Sequence, residues 1–189
     1  MKTSFFAVLF VLALAFAVAA APEPSTDKPQ YNKAGELLRP ENYREWIFLS
    51  SGFGMNYSSA PDSHDMFTNV FVPQWAYKQF MKSGAWPDKT TFVVEERMAQ
   101  STGSINKHGN FQVDSTGIGV EVKDSALRDK WAYYNFDDNK TAAANPKEGC
   151  FACHEKNAAV EHSFVQFYPT LKPVAKKFGT YRQSAEDVH

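Results

Sequence analysis

Three shortages frame this chain. Cysteine is almost absent: 189 residues hold two, Cys150 and Cys153. A pair three positions apart closes too short a loop to tie down a fold through chain entropy. A disulfide framework is therefore excluded, and the pair is assigned to local chemistry. Charge of one sign is not in excess. The formal net charge of -1 removes the basic face that neutralises phosphates, so a general nucleic-acid binder is excluded and anionic lipid exerts no pull. Long apolar runs are missing except near the N-terminus, where one extends from Phe5 to Val18. It falls short of the ~20 residues that cross a bilayer. Lys2 precedes it, and Ala17, Ala19, Ala20 and Ala21 follow with an A-x-A pattern. Residues 1–20 thus read as a secretory signal peptide, with an uncleaved anchor as the alternative. Cleavage would leave no membrane span and send the chain to the periplasm or outside the cell.

What is present suits one domain. An apolar fraction of 43% supports a sizeable core, and 16 Phe supply surplus rings for wrapping a flat apolar ligand or for plain packing. Residues 21–33, with three prolines, read as a flexible leader, 34–183 as the domain and 184–189 as a frayed tail. Pro40 to Trp46 predicts a short helical turn continued by Ile47, Phe48 and Leu49. Loops follow at Gly52 to Gly54 and Ser58 to Ser63. Phe67 to Val72 predicts a strand. Pro73 opens a helix with Ala76 and Phe80 four apart, ended by Gly84. Thr91 to Met98 predicts a strand with Phe92, Val94 and Glu96 on one face. Phe111 to Val113 is a short strand. Ile118, Val120 and Val122 alternate with Gly119, Glu121 and Lys123, as in a half-exposed strand. Trp131 to Phe136 is strand-prone, and after His154 the pattern turns helical through Ala158 and Val165 until Pro169. The fold class is α+β: an antiparallel sheet with a few flanking helices.

The chemistry sits in Cys150-Phe151-Ala152-Cys153-His154. Two thiols separated by two residues reach the two vinyl groups of one porphyrin, and the next residue is an imidazole that meets the iron from the same side. The pattern predicts one covalently bound haem c, attached near the C-terminus through Cys150 and Cys153, with His154 as the metal ligand. A redox Cys-x-x-Cys needs no following His, and a zinc site would have to recruit His108 or His162.

The sixth coordination position decides between passing electrons and binding small molecules. No methionine follows His154; Met55, Met66, Met81 and Met98 all precede it. His162 lies eight residues on, roughly 12 Å along a helix, and is poorly placed to reach the opposite haem face. His64 is the best distal histidine, in a polar loop, and His189 is terminal. These placements favour five-coordinate iron.

The chain resembles the cytochrome P-460 and cytochrome c′-beta family from Gly35 to Leu171. The matching stretches are Glu41-Asn42-Tyr43-Arg44-Glu45-Trp46, Asn69-Val70-Phe71-Val72, Gly84-Ala85-Trp86-Pro87-Asp88, Val122-Lys123-Asp124 and Lys130-Trp131-Ala132-Tyr133-Tyr134. The haem motif and Phe164-Val165-Gln166-Phe167-Tyr168-Pro169-Thr170-Leu171 complete them. The resemblance implies a β-rich homodimer with an open distal side. It also implies two chemistries, because cytochrome P-460 proteins link a lysine to the haem ring and oxidise hydroxylamine. That lysine falls on the strand after the Trp86-Pro87-Asp88-Lys89-Thr90 turn, at Val94, which cannot make the link. Lys89, Lys82 and Lys78 are the nearest substitutes, and Glu95 or Glu96 is the nearest base. Phe53, Met55, Phe71 and Phe92 are expected to line an apolar distal pocket. The reading is a five-coordinate cytochrome that binds nitric oxide or a similar small gaseous or nitrogenous ligand, with room for a redox partner protein. A hydroxylamine or nitric oxide oxidoreductase and a six-coordinate electron carrier are the alternatives.

Overall fold

In the computed structural model, residues 27–55, 66–137 and 139–187 are described. A two-residue strand, β1 (Leu37–Leu38), leads through a 3-10 turn at Tyr43–Glu45 into β2 (Ile47–Phe53). Then come β3 (Met66–Val72), helix α1 (Gln74–Ser83), β4 (Thr91–Gln100), β5 (Phe111–Lys123), β6 (Trp131–Phe136) and β7 (Thr141–Ala142). The motif occupies a wide helical turn at Lys147–Phe151 and helix α2 (Ala152–Asn157), and α3 (Lys172–Phe178) follows. Strands β2 to β6 form one antiparallel sheet in sequence order, while β1 pairs with β7 apart from it. This is the α+β architecture that the alternating segments predict. Among the described residues no helix is long and apolar enough to cross a membrane.

Period-two alternation gives each face of the sheet its own core. Val70 lies opposite Val94, Val94 opposite Gly119, and Phe92 opposite Glu121, so these residues share one face. Below that row Phe92, Trp86, Trp131, Phe80, Leu171 and Ala175 are buried together with helices α1 and α3. The other face carries Val93, Val120, Val122, Tyr134 and Phe136 against Leu37, Tyr43 and Trp46. Full burial of a side chain such as Phe92 contributes about 1.5–3 kcal/mol. Glu95 is buried on this second face and is fully partnered. It accepts from Tyr43 Oη at 2.8 Å and Arg97 at 3.0 Å, and it pairs with Arg44.

Helix α1 begins after Pro73 and stops at Gly84, whose φ of 69° is the left-handed cap that only glycine adopts without strain. Three local expectations need correction. Ile47 to Leu49 do not continue a helix: they start β2, because pairing with β3 satisfies their backbone groups over a longer stretch. Phe111 to Val113 open a 13-residue strand that shifts register near Arg97. The helix after His154 ends at Asn157, with Ala158 extended and Val165 in a separate 3-10 turn. Described residues within the expected leader and tail make contacts with the domain. Asp27 accepts from Asn42 Nδ2 at 2.8 Å and Trp46 Nε1 at 3.2 Å, and Tyr31 bridges to Leu37. Glu186 pairs with Lys172 at 2.5 Å and Lys176 at 3.1 Å and accepts from Tyr181 at 2.8 Å.

Candidate haem site

Between the first face of the sheet and the Cys-x-x-Cys-His segment lies a cavity of about 600 Å³, within the ~300–1,000 Å³ range of cofactor clefts. One wall is the sheet: Ser50 to Gly52, Thr68, Val70, Val94, Glu96 and Glu121. The other carries Cys150, Cys153 and His154, with Phe164, Phe167 and Tyr168. Gly149 steps out of helical backbone angles (φ -93°, ψ -108°) just before the first cysteine. Both cysteines are free thiols, Cys150 half-buried and Cys153 exposed. Asn145 Nδ2 lies 3.7 Å from Cys150 Sγ and Asn157 Nδ2 lies 3.5 Å from Cys153 Sγ.

The imidazole of His154 is set by its neighbours. Its Nδ1 lies 2.7 Å from the His162 carbonyl oxygen. A carbonyl only accepts, so Nδ1 bears the proton and Nε2 keeps its lone pair for a metal. The rings of Phe164 and Tyr133 pack against it at a tilt, at 4.4 and 4.5 Å. Nε2 points toward Glu121, whose Oε1 is 3.6 Å away, too far for a hydrogen bond.

Glu121 is the least expected member of the site. It is 8% exposed, and its Oε2 has no hydrogen-bond partner. Burial pushes its carboxyl pKa up, and the nearby His154 pulls partly the other way. His162 does not join as a ligand: its ring stacks between Trp131 and Phe151 at 5.4 and 4.6 Å. Burial lowers its pKa, and its Nδ1 lies 3.3 Å from the Tyr133 hydroxyl. Among the described residues no cluster of His, Cys, Asp and Glu is arranged to hold a bare metal ion, and His108 sits on an exposed bend.

Of the four expected pocket residues, only Met55 lines the cavity. Phe53 pairs with Phe67 on the opposite face, their rings 4.8 Å apart. Phe71 also points away and meets Tyr43 and Phe48 edge-on at 5.6 and 5.7 Å. Phe92 is on the correct face but wholly buried beneath the cavity, 4.7 Å from Trp86 and 6.3 Å from Trp131. Alternation marks a face without saying which face the motif will cover, and that is the reason for the error. Val94 lines the cavity, as does Glu96, while Glu95 does not. Lys89 is elsewhere, paired with the buried Asp124, and Lys78 and Lys82 lie exposed on α1. His64 and His189 are outside the described residues.

Residues 40–165 match the family Cytochrome P460. The chain belongs to the cytochrome P460 family. A search of curated proteins returned no match. Membership of the cytochrome P460 family implies a haem cofactor, and the residues present fit one: a roomy cleft, two free thiols separated by two residues in the chain and an imidazole whose free nitrogen faces inward. Some of the stretches that carry the family resemblance also build the site. Trp86, Trp131 and Tyr133 support the motif from below, and Phe164 to Tyr168 close its flank.

Proposed function

We propose that this cytochrome P460 family member is an exported, single-haem c cytochrome whose open sixth position binds nitric oxide or a similar small nitrogenous ligand. Cys150 and Cys153 would hold the porphyrin through thioethers, and His154 Nε2 would ligate the iron. Haem, when bound, supplies an iron centre that takes up the diatomic and exchanges an electron. His154 is kept in the metal-binding tautomer by the His162 carbonyl. Val70 and Val94 present an apolar surface across the cavity and exclude water. Glu121 holds a buried carboxyl against the same space, and burial favours its protonated, hydrogen-bond-donating form.

The observation that carries this reading is the composition of the wall facing His154. Its described residues include neither a second histidine nor a lysine. The second point weakens the oxidoreductase reading, since Lys89 is committed to Asp124 and the segment 56–65 contains no lysine. The homodimer and the periplasmic location belong to this proposal and rest on the family and the signal-like N-terminus.

The electron-carrier reading keeps Met55, which lines the cavity with a thioether, and His64, the histidine candidate of the sequence. Absorption spectra of the anaerobic, dithionite-reduced protein before and after nitric oxide test the choice. Broad high-spin bands that change with the gas, and that are the same in Met55→Leu, support the proposal. Sharp low-spin bands indifferent to nitric oxide, converted to high-spin by Met55→Leu or His64→Leu, overturn it in favour of an electron carrier. A Soret band displaced far to the red, with a second peptide attached to the haem peptide, overturns it in favour of a cross-linked oxidoreductase.

A further inference from the structure

The hydrogen bond behind His154 comes from a turn of unusual construction. Val160 and Ser163 bridge each other, with Glu161 and His162 between them, and Glu161 has φ of 52°. That left-handed backbone aims the His162 carbonyl at His154 Nδ1, and a glutamate is a poor choice for it. Something outside the turn must compensate. Lys123, the last residue of β5, places its Nζ 2.6 Å from Glu161 Oε2 and 2.7 Å from Oε1. The same Nζ donates to the Trp86 carbonyl at 2.7 Å. Trp86 in turn donates from its indole Nε1 to Ser163 Oγ at 2.6 Å, and Ser163 Oγ donates to the Val160 carbonyl at 2.8 Å. Both flanks of the turn are thereby clamped, and the His162 ring is wedged between Trp131 and Phe151.

We infer that Lys123 and Glu161 are positioning residues that fix the acceptor of the proximal histidine's hydrogen bond and so set the reduction potential of the iron. The inference rests on the haem reading of the site. A firmly held acceptor draws the Nδ1 proton toward itself and makes Nε2 the better electron donor, which favours the ferric state. Loosening the acceptor has the opposite effect. Neither residue reaches into the cavity, and the lost charge alone would move the potential down in Lys123→Met and up in Glu161→Gln, so a rise in both together with a lower iron–histidine frequency travels through His154.

The test uses the haem-loaded protein with Lys123→Met, Glu161→Gln and Lys123→Arg. The readouts are the iron–histidine stretching band of the reduced form by resonance Raman and the midpoint potential by spectroelectrochemistry. Lys123→Met and Glu161→Gln are expected to lower the stretching frequency and raise the potential, while Lys123→Arg returns both toward the starting values. If Lys123→Met does not fold, Glu161→Gln decides by its stretching frequency, since that carboxylate is 30% exposed and Lys123 keeps the Trp86 carbonyl as a partner. Unchanged frequency and potential in Glu161→Gln, whether or not stability falls, overturn the inference. A pyridine haemochrome assay on the unaltered protein separates the two levels. Haem attached with the potential unmoved rejects this inference alone, and absence of thioether-bound haem rejects the reading of the site with it.

Discussion

Replacing Glu121 by leucine should make the apoprotein more stable and the ligand site worse. The carboxyl is 8% exposed, with Oε2 unpartnered and Oε1 3.6 Å from the His154 imidazole. A buried polar group without a partner costs ~1–3 kcal/mol. Leucine has a similar reach and no group to satisfy, so the gain should be of that order. At this chain length each kcal/mol moves Tm by roughly 2–4 °C, giving a rise of about 2–12 °C overall. Thermal and urea denaturation of the apoprotein, followed by far-ultraviolet circular dichroism, measures it. In the haem-loaded protein the same substitution removes the one buried acid from the cavity. Nitric oxide dissociation, followed by stopped flow, should accelerate. A variant that is less stable than the parent would refute the reasoning, because it would mean that the carboxyl has a partner inside the cavity. A gain in stability paired with a poorer ligand site would be the trade-off expected of a functional group.

Three other perturbations follow from the same structure. Trp86→Phe keeps the ring but leaves Ser163 Oγ without its donor in a site of 0% exposure, and urea melts should show a loss of about 1–3 kcal/mol. Lys89→Gly relieves the left-handed backbone (φ 68°) at that position but strips the cation from Asp124, whose side chain is 4% exposed. The net change should be a loss of about 1–3 kcal/mol, below the ~3–5 kcal/mol of a fully buried pair because Lys89 is a third exposed. Glu186 is held down to about 2 by Lys172 first, then Tyr181 and Lys176. Its folded value lies below its unfolded one, so its contribution is present above the ordinary carboxylate range and is lost as pH falls toward 2. Carboxyl chemical shifts recorded against pH should give a midpoint near 2, and a midpoint near 4.5 would reject the latch.

How much of this was legible from the sequence differs from element to element. The helix between Pro73 and Gly84 was readable because proline and glycine punctuate it chemically at both ends. Thr91 to Met98 and Trp131 to Phe136 were readable because β-branched and aromatic residues alternate without interruption. Cys150, Cys153 and His154 stood out through spacing alone. The sheet wall of the cavity was not readable. Thr68, Val70, Val94 and Glu121 come from three strands, and only their register places them side by side. Alternation correctly set Phe92, Val94 and Glu96 on one face, yet depth within that face depends on what packs below it. Phe92 was lost to the core for that reason. Glu121 was hidden by its own chemistry: a glutamate alternating with valines reads as a solvated position, and nothing local reveals that a distant segment will cover it.

The cavity has one wall from residues 50–121 and the other from residues 149–168. An occupant fixed at Cys150 and Cys153 and packed against Val70 and Val94 would act as a clasp between the early and late parts of the chain. The far wall would then be delivered by folding rather than by attachment. A chain in which the strands have slipped or opened would keep its pigment but lose its selectivity, because water and free side chains would reach the metal. Whatever stabilises the β3–β4–β5 pairing therefore also keeps the gate of the site, however far it lies from the cysteines.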